Sequence, residues 1–138
     1  MVELKRFGVS IEENLLEVFD KYVKKKGYHN RSEALRDLVR KELVETAWED
    51  GNEEIAGAII MVYDHHRNEL VENLVNIQHD HYDIIISSQH VHLDHHNCLE
   101  IIAVKGKIKK VYDLESRLKV AKGVKHAAVA RSTLAKKI

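Results

Sequence analysis

Alternation opens the chain. Between Leu4 and Ile11, the residues Phe7, Val9 and Ile11 fall on one side and Arg6, Gly8 and Ser10 on the other, the period of a short strand with one apolar face. The period then lengthens. Leu15, Leu16, Phe19 and Val23 form a helical stripe; Ser10 followed by Glu13 has the form of a capping box, and Gly27 supplies a helix stop. Asn30 followed by Glu33 repeats the capping signature. It opens a second helix with the stripe Ala34, Leu35, Leu38, Val39 and Leu43, running to about Trp48 or Asp50. Residues 48–54 are polar, contain Gly51 and read as a linker. Residues 55–63 are almost continuously apolar and predict a buried strand. Asp64-His65-His66-Arg67 makes a turn, and Leu70, Val71, Leu74, Val75 and Ile77 mark a helix ending near His79. Strands follow over 83–93 and 98–104, with Lys105-Gly106 as a turn. Ile108, Val111, Leu114 and Leu118 give a further helix, stopped by Gly123, and 125–130 reads as a last strand.

The pattern predicts an α+β protein in two parts. Residues 1–50 hold a strand and two helices; residues 51–138 run strand-helix-strand-strand-helix-strand, the ferredoxin-like split motif that ACT-type regulatory domains share. The first part cannot fold alone, because its strand has no pairing partner and its core is thin. A second copy solves both problems: two strands make an antiparallel ribbon over interlocked helices. Gly27-Tyr28 followed by Asn30-Arg31-Ser32-Glu33-Ala34-Leu35-Arg36-Asp37 resembles the turn and second helix of the ribbon-helix-helix DNA-binding family. That resemblance implies a ribbon in the major groove of double-stranded DNA, with Arg6, Gly8 and Ser10 facing the bases. Gly8 departs from the polar side chain usual at the middle position. Lys24, Lys25, Lys26, Arg31 and Arg36 are available to hold phosphates.

Composition narrows the class. The 138 residues carry 22 basic and 22 acidic side chains, a net charge of zero, which argues against nucleic-acid binding by bulk charge and requires a local patch. No apolar run approaches the ~20 residues of a membrane span, and no signal peptide is apparent. A single cysteine rules out an intrachain disulfide and fits a reducing, cytoplasmic setting.

The distinctive chemistry lies between His79 and Cys98. Six of the ten histidines and the one cysteine are here, and imidazole and thiolate are the side chains that first-row transition metals favour. On a strand, His90 and His92 share a face about 6.7 Å apart. Cys98 lies past a short polar turn, where a hairpin brings it back alongside. The reading is a metal site of the form His-x-His plus Cys, completed by another histidine. A strand histidine is more often a half-buried polar residue, and Cys98 alone would pass for a core cysteine; the matched spacing favours ligation. Ligand types do not separate nickel, copper and zinc. His81, His95 and His96 read equally well as solvated loop residues. His29, His65, His66 and His126 fall outside the expected centre.

Taken together, the phrase His90-Val91-His92-Leu93-Asp94-His95-His96-Asn97-Cys98-Leu99-Glu100, the upstream His79 and the two-part organisation resemble the NikR family of nickel-responsive transcriptional regulators over nearly the whole chain. The resemblance implies one Ni2+ per subunit, held in a square plane by His90, His92 and Cys98 of one subunit and His79 of another, with Glu100 supporting the ligands. It further implies a homotetramer built as a dimer of dimers, a two-fold-symmetric operator, and repression of nickel uptake genes. Glu33 and Asp37, one helical turn apart, match a weak cation site of the family, and by the same resemblance His81 and His95 match positions that can join secondary metal sites; on their own Glu33 and Asp37 read as a solvated acidic face. Two other classes remain open on the residues: a metalloenzyme or metal store, against which stands the lack of a carboxylate base beside the cluster, and a small-molecule regulator with incidental metal.

Overall fold

The computed structural model describes residues 2–138. They divide into two compact units, Met1–Lys41 and Glu42–Ile138, the division falling within the second helix.

In the first unit, residues 2–12 carry no regular secondary structure and are exposed throughout. The alternation is present in the sequence, but a lone strand has no neighbour to supply ladder hydrogen bonds. Helix α1 spans Glu13–Lys26. Its N-cap is Glu12, with no side-chain cap bond, so the capping box expected from Ser10 and Glu13 does not form. The other end follows expectation. Gly27 adopts the left-handed conformation (φ 80°), its amide bonds Lys24 O, and the amide of Tyr28 returns to Val23 O. That closure uses a backbone geometry open to glycine at no steric cost. Helix α2 spans Arg31–Ala47, opened by Asn30, whose Oδ1 accepts the amide of Glu33 at 2.9 Å.

The second unit has four strands and two helices: β1 (Glu54–Asp64), α3 (Asn68–Asp80), β2 (Ile85–His92), β3 (Asn97–Lys107), α4 (Ile108–Val120) and β4 (Val124–Arg131). All strand pairs are antiparallel and the sheet order is β2-β3-β1-β4, the arrangement of the ferredoxin-like motif. Along β1, Ile55, Ile59, Met61 and Tyr63 are buried; along β3, Cys98, Glu100, Ile102 and Val104 are. Alternate residues of each strand therefore face one core, which Leu70, Leu74 and Ile77 of α3 and Ile108, Val111, Leu114 and Leu118 of α4 complete. Val75, placed in the α3 stripe by its spacing, points outward instead.

Two expectations are corrected. Trp48 is no linker residue: it is 3% exposed in the core, and its indole N–H donates to Ser132 O at 2.9 Å. Lys105-Gly106 is no turn, because β3 continues through both and passes directly into α4. Gly106 serves close packing; a Cβ there would meet Ile84 Cγ2 at 2.6 Å.

Candidate functional site

The β2–β3 hairpin brings the histidines and the cysteine together. In its register His90 faces Glu100 and His92 faces Cys98, so all four share the face that bears the core. Glu100 is 2% exposed, an expensive position for a carboxylate unless it is well partnered. It has three partners. His90 Nε2 lies 2.8 Å from Oε1, the hydroxyl of Tyr63 donates to the same oxygen at 3.2 Å, and Gln78 Nε2 of α3 donates to Oε2 at 2.6 Å. His90 Nδ1 then stands 3.9 Å from Cys98 Sγ and 3.2 Å from the Tyr63 oxygen. Burial, with Glu100 and Cys98 beside it, pushes the Tyr63 phenol far above its ordinary range and keeps it a neutral donor.

His92 leans elsewhere. Its ring lies edge-on to His65 at 4.8 Å. The Nδ1 of His65 is buried without a partner, and burial together with the neighbouring His66 and His92 lowers the pKa of His65, favouring the neutral ring. His79, near the end of α3, lines an open cleft of about 350 Å3 that His90, Gln78 and Glu100 also line. Among the described residues, the donor atoms of His79, His90, His92 and Cys98 do not all converge within one chain. Asp64, His66 and His96 are, among the described residues, the one group of three or more potential ligands lying within 4.8 Å of one another.

Similarity to known proteins decides the family. Residues 56–132 match the family model described as the NikR C-terminal nickel-binding domain, and residues 5–46 match the ribbon-helix-helix protein, copG family. The chain belongs to the family of nickel-responsive regulators. It is 54% identical over 133 residues to a putative nickel-responsive regulator of Chlorobaculum tepidum, covering 96% of this chain and 98% of the relative. Proteins of the same description from Syntrophus aciditrophicus and Thermococcus onnurineus are 48% and 46% identical, covering 96% and 99% of this chain and the same shares of theirs. An uncharacterised Thermotoga maritima protein shares the fold of part of the chain (TM-score 0.53, 12% identity, 57% of this chain and 98% of that one). The matched families are regulators, not enzymes. Among the described residues, no helix is long and apolar enough to cross a membrane.

Within this regulator family member, the remaining sequence candidates fall as follows. Arg6, Gly8 and Ser10 all lie in the exposed segment 2–12; Ser10, freed from capping, has its hydroxyl available. Arg31 is engaged by Asp20 through two bonds of 2.8 and 2.9 Å, which lowers the Asp20 pKa and removes Arg31 from the free cations. Glu33 and Asp37 have local partners: the amide and ring of His29 for Glu33, and the Tyr28 hydroxyl for Asp37. His81 is no solvated loop residue. It is 8% exposed, with Nδ1 2.8 Å from Ile77 O and Nε2 2.8 Å from Asp113 Oδ2.

Sequence reading missed Tyr63 and Gln78. Neither has a motif. One signal existed for Gln78: it precedes His79 on the helix predicted to pack on the strand of Glu100.

Proposed function

We propose that this chain is a nickel-dependent DNA-binding repressor, acting in the cytoplasm on genes of nickel uptake. One Ni2+ per subunit is held by His90, His92 and Cys98, completed by a His79 from a neighbouring subunit of a homotetramer. The observation that carries the reading is the buried Glu100 bound to His90 Nε2, with His90 Nδ1 turned toward the Cys98 sulfur. Metal-bound histidines typically give their second nitrogen to a carboxylate, which fixes the ring and raises its basicity. The donor set fits the ion: imidazole and thiolate are borderline-to-soft ligands suited to nickel. That the four donors do not converge within one chain supports a site shared between subunits.

His90, His92 and Cys98 on β2 and β3 of one subunit and His79 on α3 of another would hold the nickel, which would supply a crosslink between the subunits. The ribbon of paired 2–12 segments enters the major groove, with Arg6 and Ser10 on base edges and Gly8 at the point of closest backbone approach. Two such ribbons, one at each end of the tetramer, meet a two-fold-symmetric operator. Linkage requires that nickel tighten DNA binding and that DNA tighten nickel binding by the same factor.

The test is a mobility shift on the chain's own promoter DNA, with and without nickel. Wild type should shift only with nickel. Cys98→Ala and His90→Ala should fold, by circular dichroism, yet lose the nickel response. Undiminished nickel-dependent binding by both variants would reject the proposal.

A further inference from the structure

Past Ile77, helix α3 loses its apolar anchor. Leu70, Leu74 and Ile77 bury the helix against the core, and the next buried apolar residue is Ile84. The buried residue between them is polar, His81. His79 lies in this gap and is exposed at the cleft.

Polar contacts with α4 fill the gap. Arg117 Nη2 donates to Asp80 Oδ2 at 3.3 Å. His81 Nε2 lies 2.8 Å from Asp113 Oδ2, and its Nδ1 lies 2.8 Å from Ile77 O. Lys110 donates to Asp83, which holds the Asp83 carboxyl below its ordinary value. Lys110, Asp113 and Arg117 are spaced three and four apart, so they form one row on the surface of α4. In that row the two cations face carboxylates and the carboxylate faces the imidazole. The core residues Ile108, Val111, Leu114 and Leu118 occupy the helix's other side. Gln78, in the same turn of α3, donates to Glu100 Oε2 of the sheet at 2.6 Å. The residues on both flanks of His79 are therefore tied down, one to β3 and the other to α4.

The three contacts do not weigh equally. Asp80–Arg117 and Asp83–Lys110 join exposed side chains, and such pairs contribute little singly. The His81 ring is buried, and loss of Asp113 would leave a buried polar atom without its partner, which is far more costly. We propose that the row Lys110, Asp113 and Arg117 positions His79: it orders the last turn of α3 before any metal arrives, with Asp113 dominant. A ligand that is already ordered loses less freedom on binding, so the row raises nickel affinity without touching the ion. This rests on His79 being a nickel ligand, as proposed above.

Hydrogen exchange of the metal-free, full-length protein reads the ordering directly. Segment 77–84 should be protected in wild type. Asp113→Ala should speed its exchange by at least about fivefold, and Arg117→Asp by about twofold to fivefold, with β1 and β3 unchanged. The exchanged pair Asp80→Arg/Arg117→Asp should restore protection. Nickel affinity, by competition with a chelating dye, should weaken in Asp113→Ala and Arg117→Asp by similar factors and recover in the exchanged pair. The absorption spectrum at nickel saturation should not move, because no donor atom is lost. Unaltered exchange of 77–84 in Asp113→Ala would overturn the proposal. So would faster exchange with undiminished nickel affinity, and His79→Ala then separates the causes. If His79→Ala weakens nickel binding, His79 is a ligand that needs no positioning. If it does not, His79 is no ligand and the shared four-donor site fails as well.

Discussion

The two units of this chain treat their apolar side chains in opposite ways. In the first, Val23 and Ala34 are the buried apolar residues, while Phe7, Val9, Ile11, Leu15, Val18, Leu35 and Val39 stand exposed. In the second, eighteen buried residues form one cluster closed by a sheet and two helices. Both regions follow the apolar periodicity of their sequence. The difference is that one stripe meets its partner inside the chain and the other does not. Exposed stripes at strand and helix period, next to a segment without regular structure, mark a surface to be buried by association. A unit of this kind has a stability that depends on protomer concentration, whereas the closed unit has its own.

The comparison is tested most forcefully at Trp48. Trp48→Ala removes a core ring and its bond to Ser132, and should cost about 3–5 kcal/mol in denaturant unfolding of the second unit. A loss below ~1 kcal/mol would show that the closed core is looser than its burial implies. In the first unit, Leu35→Ala is the counterpart. An exposed leucine should matter by less than about 0.5 kcal/mol; if association buries it, the loss rises to about 1.5–3 kcal/mol. Sedimentation equilibrium across protein concentrations should then show a weakened dimer, and unchanged association would contradict the self-pairing of this face.

Glu100→Gln probes the proposed metal centre without removing a donor atom. Nickel affinity, by competition with a chelating dye, should fall about 10–100-fold. An unaltered affinity would mean that Glu100 does not orient His90. Gly27→Ala places a side chain at φ 80° and should destabilise the first unit by about 1 kcal/mol in a thermal melt. The smallest effect concerns pH. Hydrogen bonds from Asn97 and the His96 amide hold the Asp94 carboxyl well below the usual carboxylate range. A depressed folded pKa contributes stability above the unfolded value of about 3.9, and that stability fades as pH falls through the folded pKa. The fall in melting temperature between neutral and acid pH should be slightly shallower in Asp94→Ala than in wild type; an identical slope would remove Asp94 from the acid response.

How readable each part was follows from the range of the interactions behind it. The helix end at Gly27 and the buried stripe of α4 depend on residues a turn or two apart and appear as expected; α4, by contrast, is capped by an extended Ala121, and the expected stop Gly123 (φ 103°) serves the turn into β4 instead. The pairing of His92 with Cys98 was readable because a short hairpin dictates its own register. Trp48 was misread because polar neighbours signal a linker, while its burial depends on Ser132, 84 residues away. His81 was misread for the same reason, its partner being Asp113 on another helix.

Local periodicity was therefore written along the chain: which stretches coil, which alternate, and that His90 and His92 share a hairpin face with Cys98. Tertiary packing alone decided that Tyr63 and Gln78 meet on Glu100, and that two Asp-His-His turns thirty residues apart become neighbours. The reason is physical. A one-dimensional pattern carries spacing, whereas the contacts of a buried carboxylate or of two adjoining turns exist only once the sheet has closed.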